Sequence, residues 1–458
     1  MTYLISFFSS SFTNALLLTT NAMKPFYKHV LYENLPIESH LDQSLHDHFN
    51  SEITSRVITS KQDAVDYLTW TFLYRRLPLN PHYYNLASAS HRHISDHLSE
   101  LVESTLESLN EAKCIQIVDE LYVEPLNLGM IAAYYSIHYG TIEMMASSLQ
   151  ANTRLRGILQ VISAAAEFDW LIEVRVGEEV QLAALHSRCP VRLGAASLKF
   201  HDPHVKVAIL LQCHFSRIEL PAELQGDLET ILNRIVPLTY GLIDVLSSHG
   251  WLAPALAAME FCQMCVQGLW DSDSPLRQLP HFNPERVKIA SELGCETISE
   301  FVELEDSAKL SILKGLPGRS ISEIAAFAND YPSDLEVALL SGSEIVGRTG
   351  EDISLSVSLS LDREDSETGE TVIKFKPNKF PSVKEIAWWI LVGNPVDRTI
   401  LAIKRVTLPS NTSNRQVELD FAVPEASHET SLSLKVYVLC DSFMGCDQEL
   451  DFSLLIQV

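Results

Sequence analysis

Basic residues are in short supply: 34 Lys and Arg stand against 59 Asp and Glu in 458 residues, a formal net charge of −25. The averaged field therefore repels phosphate, which excludes a general nucleic-acid coat and confines any RNA contact to a local basic or dipolar feature. Long apolar runs are missing too. The opening MTYLISFFSSSFTNALLLTTNAM is broken by Ser, Thr and Asn and carries no Lys or Arg before Lys24, so it suits neither a secretory signal nor a membrane span. Residues 1–25 are expected to be an unstructured extension, and no membrane partner is expected. Cysteine is sparse: Cys114, Cys189, Cys213, Cys262, Cys265, Cys295, Cys440 and Cys446 are scattered without a dense framework, as thiols in a reduced compartment usually are.

Motifs that carry chemistry are absent as well. No G-x-x-x-x-G-K-[ST] occurs, so the backbone cradle and lysine that hold nucleotide phosphates are missing. The acidic DELY at Asp119 to Tyr122 lacks the terminal His of a helicase acidic box, and there is no H-E-x-x-H or G-x-S-x-G. Cys262 and Cys265 have C-x-x-C spacing but lie within a helical stretch, which fits a structural role better than a redox or metal one. His91 with His93, and His201 with His204, have no convergent carboxylate or Cys and read as surface or capping residues. The sequence predicts no autonomous catalysis, no metal site and no cofactor.

What is present is periodicity that changes along the chain, at a length that suits roughly two to four domains. SKQDAVDYLTWTFLYRRL opens with Ser60 three residues before Asp63, a capping spacing, and places Val65, Leu68, Phe72 and Leu73 on one helical face. HRHISDHLSELVESTLESLNEAK follows as a second helix, with Leu98, Leu101, Val102, Leu106 and Leu109 in an apolar stripe opposite solvated Glu100, Glu103, Glu107 and Glu111. CIQIVDELYVEP reads as two short strands turning near Asp119, and LNLGMIAAYYSIHYGTIEMMASSL as a buried helix. Together these predict a winged-helix-like domain over residues 26–150. Five helical segments over 151–270 predict a bundle, with Pro237 expected to bend or split the fourth. Shorter helices follow over 271–332, where Ser320 and Glu323 have capping-box spacing.

After Pro332 the period becomes two. DISLSVSLSLD puts Ile353, Leu355, Val357, Leu359 and Leu361 on one face and four serines on the other. With LEVALLS, IAWWILVG, TILAIKRVTL, RQVELDFAV, TSLSLKVYVL and ELDFSLLIQV, it predicts an immunoglobulin-like or fibronectin type III-like β-sandwich over 333–458. The loop CDSFMGCDQE, residues 440–449, raises the question of a metal clip. One Cys pair with five residues between and no nearby His pair falls short of a zinc site. Cys440 continues the inward face of its strand as a small hydrophobe, and Asp441 and Asp447 are expected as turn formers.

Two binding signals stand out. GLPG at Gly315 to Gly318, followed by Arg319, is similar to the hairpin of helix-hairpin-helix modules, where N–H groups at a helix start meet a phosphate; the alternative is a tight inter-helix turn. Arg234, with Tyr240 and Trp251, offers a cation and aromatics of the kind that track a single strand, although core packing is the expected role of the aromatics.

The segments DYLTWTFLYRRLPLNPHYYNL, HRHISDHLSELVESTLESL, PLNLGMIAAYYSIHYGTIE, HGWLAPALAAMEFCQM with QLPHF, and CDSFMGCDQE stand in one order. In that order, over Phe26 to Val458, the chain resembles the C-terminal region of the Brr-two family of spliceosomal U-five RNA helicases, a winged helix plus a Sec-sixty-three module. The resemblance implies a bundle, a helix-loop-helix domain and an immunoglobulin-like domain after the winged helix. It implies a non-catalytic accessory and protein-interaction module of an ATP-dependent helicase, nuclear, with spliceosomal proteins as partners and at most a weak local RNA contact. It also implies that Glu223 to Ser248 occupies the place of the family's ratchet helix, in which Pro237 is out of pattern. An RNA-binding piece that works with a separate motor, or the corresponding part of the activating-signal cointegrator helicase, are the alternatives. The ill-matched first 22 residues would suit an incomplete piece of a larger enzyme.

Overall fold

The computed structural model describes residues 3–8, 13–32, 37–192, 199–361, 374–408, 414–425 and 428–457. The chain separates into two compact units, one of residues 1–108 with 117–123 and one of residues 109–116 with 124–458. Where an unstructured extension was expected, the first unit begins with an antiparallel pair, β1 (Tyr3–Phe8) and β2 (Thr13–Leu18), in register from Tyr3↔Leu18 to Phe8↔Thr13. The two six-residue runs pair along their facing edges, which satisfies about half of their backbone groups. α1 (Lys24–Tyr32) and α2 (Leu45–Thr54) follow.

The expected single helix over 60–77 is two, α3 (Lys61–Thr69) and α4 (Phe72–Arg76). Ser60 caps α3 by accepting from the Asp63 N–H, as its spacing predicts, but Thr71 starts a new helix by accepting from the Tyr74 N–H. The restart shifts the phase, so Leu73 is buried and Phe72 faces solvent. α5 (His91–Glu111) keeps its predicted stripe, with Leu98, Val102, Leu106 and Leu109 buried and its four glutamates exposed. β3 (Ile115–Val118) and β4 (Tyr122–Pro125) form the expected hairpin. Its turn holds Asp119 and Glu120 at φ of 50° and 57°, the left-handed backbone that tight hairpins favour.

In the second unit the predicted buried helix over 126–149 is again two, α6 (Asn127–Tyr135) and α7 (Tyr139–Ser148), broken where Ser136 turns left-handed at φ 53°. These residues fall in the second compact unit, whereas the sequence predicts them within a winged-helix-like domain over 26–150. α8 (Leu155–Ser163), α9 (Glu167–Leu171), α10 (Glu178–Arg188), α11 (Pro203–Phe215), α12 (Ala222–Ser248) and α13 (Leu252–Gln267) follow. Pro237 does not split α12, which runs unbroken through 27 residues. α6, α7, α8, α9, α11 and α13 all pack against it, and that burial outweighs the hydrogen bond Pro237 cannot donate. α14 (Pro284–Glu292), α15 (Ile298–Glu303), α16 (Asp306–Ile312) and α17 (Gly318–Asp330) complete the helices. A capping box forms at Thr297 and Glu300. None forms at Ser320 and Glu323, because α17 begins two residues earlier, after Pro317, and Ser320 is buried in its first turn.

The strands are β5 (Leu335–Leu339), β6 (Glu344–Arg348), β7 (Asp352–Leu361), β8 (Lys374–Phe375), β9 (Lys384–Glu385), β10 (Ala387–Asn394), β11 (Thr399–Thr407), β12 (Asn414–Ala422), β13 (Thr430–Cys440) and β14 (Gln448–Gln457). One sheet has the order β11-β10-β13-β14-β6 and another β12-β7-β5, with β8 and β9 as a short pair. β10 pairs on both sides and is buried along its whole length, which is why AWWILVGN is apolar without alternation. β7 alternates as predicted, burying Leu355, Val357, Leu359 and Leu361. β6 was not expected; it adds in parallel to β14, and its Gly347 lies so close to Val423 that an added Cβ would come within 2.7 Å.

Candidate functional site

The loop from Cys440 to Asp447 is buried far more deeply than a surface turn. Asp441, at 0% exposure, follows β13 and collects five donors. Its Oδ1 accepts from the Ala387 N–H at 3.1 Å and the Ser442 hydroxyl at 2.6 Å. Its Oδ2 accepts from the Tyr240 hydroxyl, Arg405 Nη2 and Lys384 Nζ, each at 2.7 Å. Burial alone would raise this carboxyl; Lys384, Arg405 and the bond from Ser442 reverse that and hold it down at about 2. The Arg405 guanidinium also lies 4.0 Å from the centre of the Tyr240 ring, and Tyr240 meets Trp389 edge-on at 5.7 Å. Tyr240 on α12 is thus part of a link between helix and sheet.

Helix side chains satisfy the rest of the loop. Gln263 Nε2 donates to the Cys440 carbonyl at 2.8 Å and to the Asp447 carboxylate at 3.0 Å, and Gln267 Nε2 donates to the Ser442 carbonyl at 2.6 Å. Gln278 exchanges two bonds with the Met444 backbone, both 2.9 Å. Phe443 is enclosed by Phe327, Tyr331 and a stacked Phe375. Asp447 accepts from the Cys440 N–H at 2.9 Å, the turn-forming role expected of it, yet burial pushes its carboxyl up to about 6. Cys440 is buried as expected. Among the described residues no group of three His, Cys, Asp or Glu is arranged to hold a metal ion. His93 bonds Ser88 and Ser90, while His204 bonds the Ser163 carbonyl and Asp169.

The residues singled out from sequence lie on two separate elements. Arg234 is on α12, where Nη2 donates to the Ser136 carbonyl at 2.6 Å and to Glu167 Oε1 at 3.2 Å. Glu167 is almost fully buried and also accepts from the His138 N–H and the Thr141 hydroxyl, so Arg234 serves as its counter-ion. Gly315 lies on the turn between α16 and α17, and Gly318 and Arg319 are the first two residues of α17; all three are exposed. Gly315 needs its lack of a side chain for its φ of 83°, not for space. No side chain caps α17, and Arg319 is exposed, pairing with Glu323 at 3.2 Å. Trp251 is half-buried and stacks on His249 at 4.6 Å.

The model of the Sec63 Brl domain matches residues 125–453, most of the chain. The chain belongs to the Sec63 Brl domain family. A Winged Helix-turn-helix domain model matches residues 38–119 as well. The U5 small nuclear ribonucleoprotein 200 kDa helicase of Drosophila melanogaster is 46% identical over 443 residues, 96% of this chain and 20% of the relative. The human protein of that name is 47% identical over 432 residues, 94% of this chain and 19% of the relative. An activating signal cointegrator 1 complex subunit 3-like protein of Dictyostelium discoideum is 41% identical over 450 residues, 96% of this chain and 20% of the relative. The chain spans about one fifth of the length of these relatives.

Within this Sec63 Brl chain, sequence reading missed the cations that hold the helices and sheet together. Lys206 on α11 has 0% exposure and bonds the Glu173 carbonyl, Glu178 and Asp227 at 2.6–2.7 Å, with Arg175 bridging the same two carboxylates. One signal was available: Lys206, Gln263 and Gln267 are polar residues inside otherwise apolar helical runs, and such groups must find buried partners.

Proposed function

We propose that the chain is a non-catalytic accessory and protein-interaction module of a spliceosomal ATP-dependent RNA helicase, working in the nucleus with spliceosomal proteins as partners. The observation that carries this reading is the identity to the U5 small nuclear ribonucleoprotein 200 kDa helicases, sustained along 94–96% of the chain. Within the second unit, our subdivision is a bundle to about residue 270, a helix-loop-helix portion to 332 and an immunoglobulin-like sandwich beyond it. Two antiparallel sheets whose buried faces contribute to one core support the last assignment; the parallel β6 is an addition to it. The buried loop at 440–447 ties that portion to α12 and α13, which suits a rigid body presenting fixed surfaces.

A net charge of −25 disfavours RNA as the principal partner. We infer that any RNA contact is local and falls at Gly315, Gly318 and Arg319, which are accessible, while Arg234 acts mainly by neutralising Glu167. Two measurements test the reading. The purified chain should co-sediment with isolated U5 particles. Its affinity for single-stranded RNA should be unmeasurable at modest salt; binding that falls steeply between about 50 and about 200 mM would establish the nucleic-acid-handling alternative instead.

A further inference from the structure

The buried and half-buried cations described so far in the second unit lie on carboxylates: Lys206 on Glu178 and Asp227, Lys384 and Arg405 on Asp441, Arg234 on Glu167. Arg217 differs. It follows α11 in a left-handed turn at φ 52°, and its Nε and Nη2 donate to the carbonyls of Gly268 and Gln267 at the C-terminal end of α13, at 3.1 and 3.3 Å. Those carbonyls satisfy two nitrogens but supply no full negative charge. Nη1 has no hydrogen-bond partner among the described residues, and no carboxylate among them is within ion-pair distance. Asp273, the acidic group whose charge favours the Arg217 cation, is already paired with Arg277. Burial lowers the pKa of Arg217 to about 10, the direction expected of a cation without a counter-ion.

Arg217 stands where two clefts meet, of about 490 and about 410 Å³, which share Asn378 and exposed Lys379 as well. Apolar side chains line both: Leu228, Leu232 and Phe380 in one, Phe282 in the other. Glu219 and Glu229 also border the first cleft, and Glu323, already bonded to His281 and Arg319, borders the second. A tract of phosphates would be repelled by these glutamates. A single carboxylate is repelled too, but less in proportion to its smaller charge, and apolar residues beside it would pack on the apolar lining.

We propose that this double cleft is a docking site for an extended segment of a partner protein carrying one acidic side chain between apolar residues, with the carboxylate paired to Arg217 and Lys379. The assignment rests on the docking reading above and names one of its contact sites. The probes are short synthetic peptides of one apolar sequence whose central position is Glu, Gln, Lys or phosphoserine, titrated by fluorescence anisotropy into the full chain. The Glu peptide should bind about tenfold tighter than the Gln peptide, the gain of a hydrogen bond to a charged group. Arg217→Met should erase that difference. Lys379→Glu, at an exposed position that leaves folding intact by its thermal melt, should erase or reverse it.

Equal binding of the Glu and Gln peptides, no binding by any peptide, or a preference that survives both substitutions would overturn the assignment. So would tighter binding of the phosphoserine peptide or displacement by single-stranded RNA, either of which would make this a phosphate site. The two readings fail separately. If the chain co-sediments with U5 particles but shows no Glu preference, only the cleft assignment falls; if it shows the preference without co-sedimenting, only the docking reading does.

Discussion

Replacing Asp441 by Asn should cost about 3–5 kcal/mol of stability, because it leaves Lys384 and Arg405 inside the protein with no counter-ion. Simple protonation of the same carboxyl should cost less. Its pKa is held at about 2 against an ordinary 3.8, which corresponds to roughly 2 kcal/mol. The figures differ for a physical reason: an acid keeps both oxygens in place for the Ala387 N–H and the hydroxyls, whereas Asn puts an amide N–H₂ against one set of donors. Because the folded pKa lies below the unfolded one, this contribution is complete above 3.8 and drains away as pH falls toward 2. Urea titration of the full chain followed by tryptophan fluorescence is the assay, since Trp389 lies beside Tyr240 in the same cluster. With a slope of about 3 kcal/mol per molar, the midpoint should drop by about 1 M or more. Replacing Asp441, Lys384 and Arg405 together by apolar residues should recover part of the loss, since the stranded cations are then gone while the Ala387 N–H still lacks its acceptor. An Asn variant within about 1 kcal/mol of the parent would refute the claim that this carboxylate anchors the sheet to the helices.

Asp447 should behave oppositely: burial raises its pKa to about 6, so its contribution is full below 3.8 and is lost as pH rises through 6, and Asp447→Asn should flatten the stability profile across that window. Lys206→Met should lose about 3 kcal/mol in the same urea assay, at the low end for a broken buried pair because Arg175 still contacts Glu178 and Asp227. Gly315→Ala should cost about 1 kcal/mol through its φ of 83°, whereas Gly318→Ala, in a helix with nothing within 4 Å of the new Cβ, should be neutral or slightly stabilising.

Elements whose burial is set locally were legible in the sequence. The α5 stripe, the turn at Asp119 and the alternation of β7 each depend on a one-sided pattern in a single stretch. What escaped was set elsewhere in the chain. Thr71 and Ser136 break helices inside apolar runs, where periodicity gives no warning of a cap or a left-handed residue. β6 exposes most of its side chains and exists because β14 offers it an edge. The loop at 440–447 carries turn-forming residues and reads as a surface turn, but its donors and acceptors are supplied by Tyr240, Gln263, Gln267 and Gln278, more than 160 residues earlier. The glutamines gave the one usable hint, as polar groups inside apolar helical text. Of the candidate binding residues, the exposed turn at Gly315 was recognisable by its glycines. The commitment of Arg234 to Glu167 was not, since 67 residues separate the two.

We propose that this chain presents surfaces to other proteins and has no energy coupling of its own. RNA-stimulated ATP hydrolysis by the purified chain tests that most directly. The account predicts phosphate release no faster than buffer, with or without single-stranded RNA. Turnover that rises on adding RNA and stays with the chain through successive purification steps would contradict it.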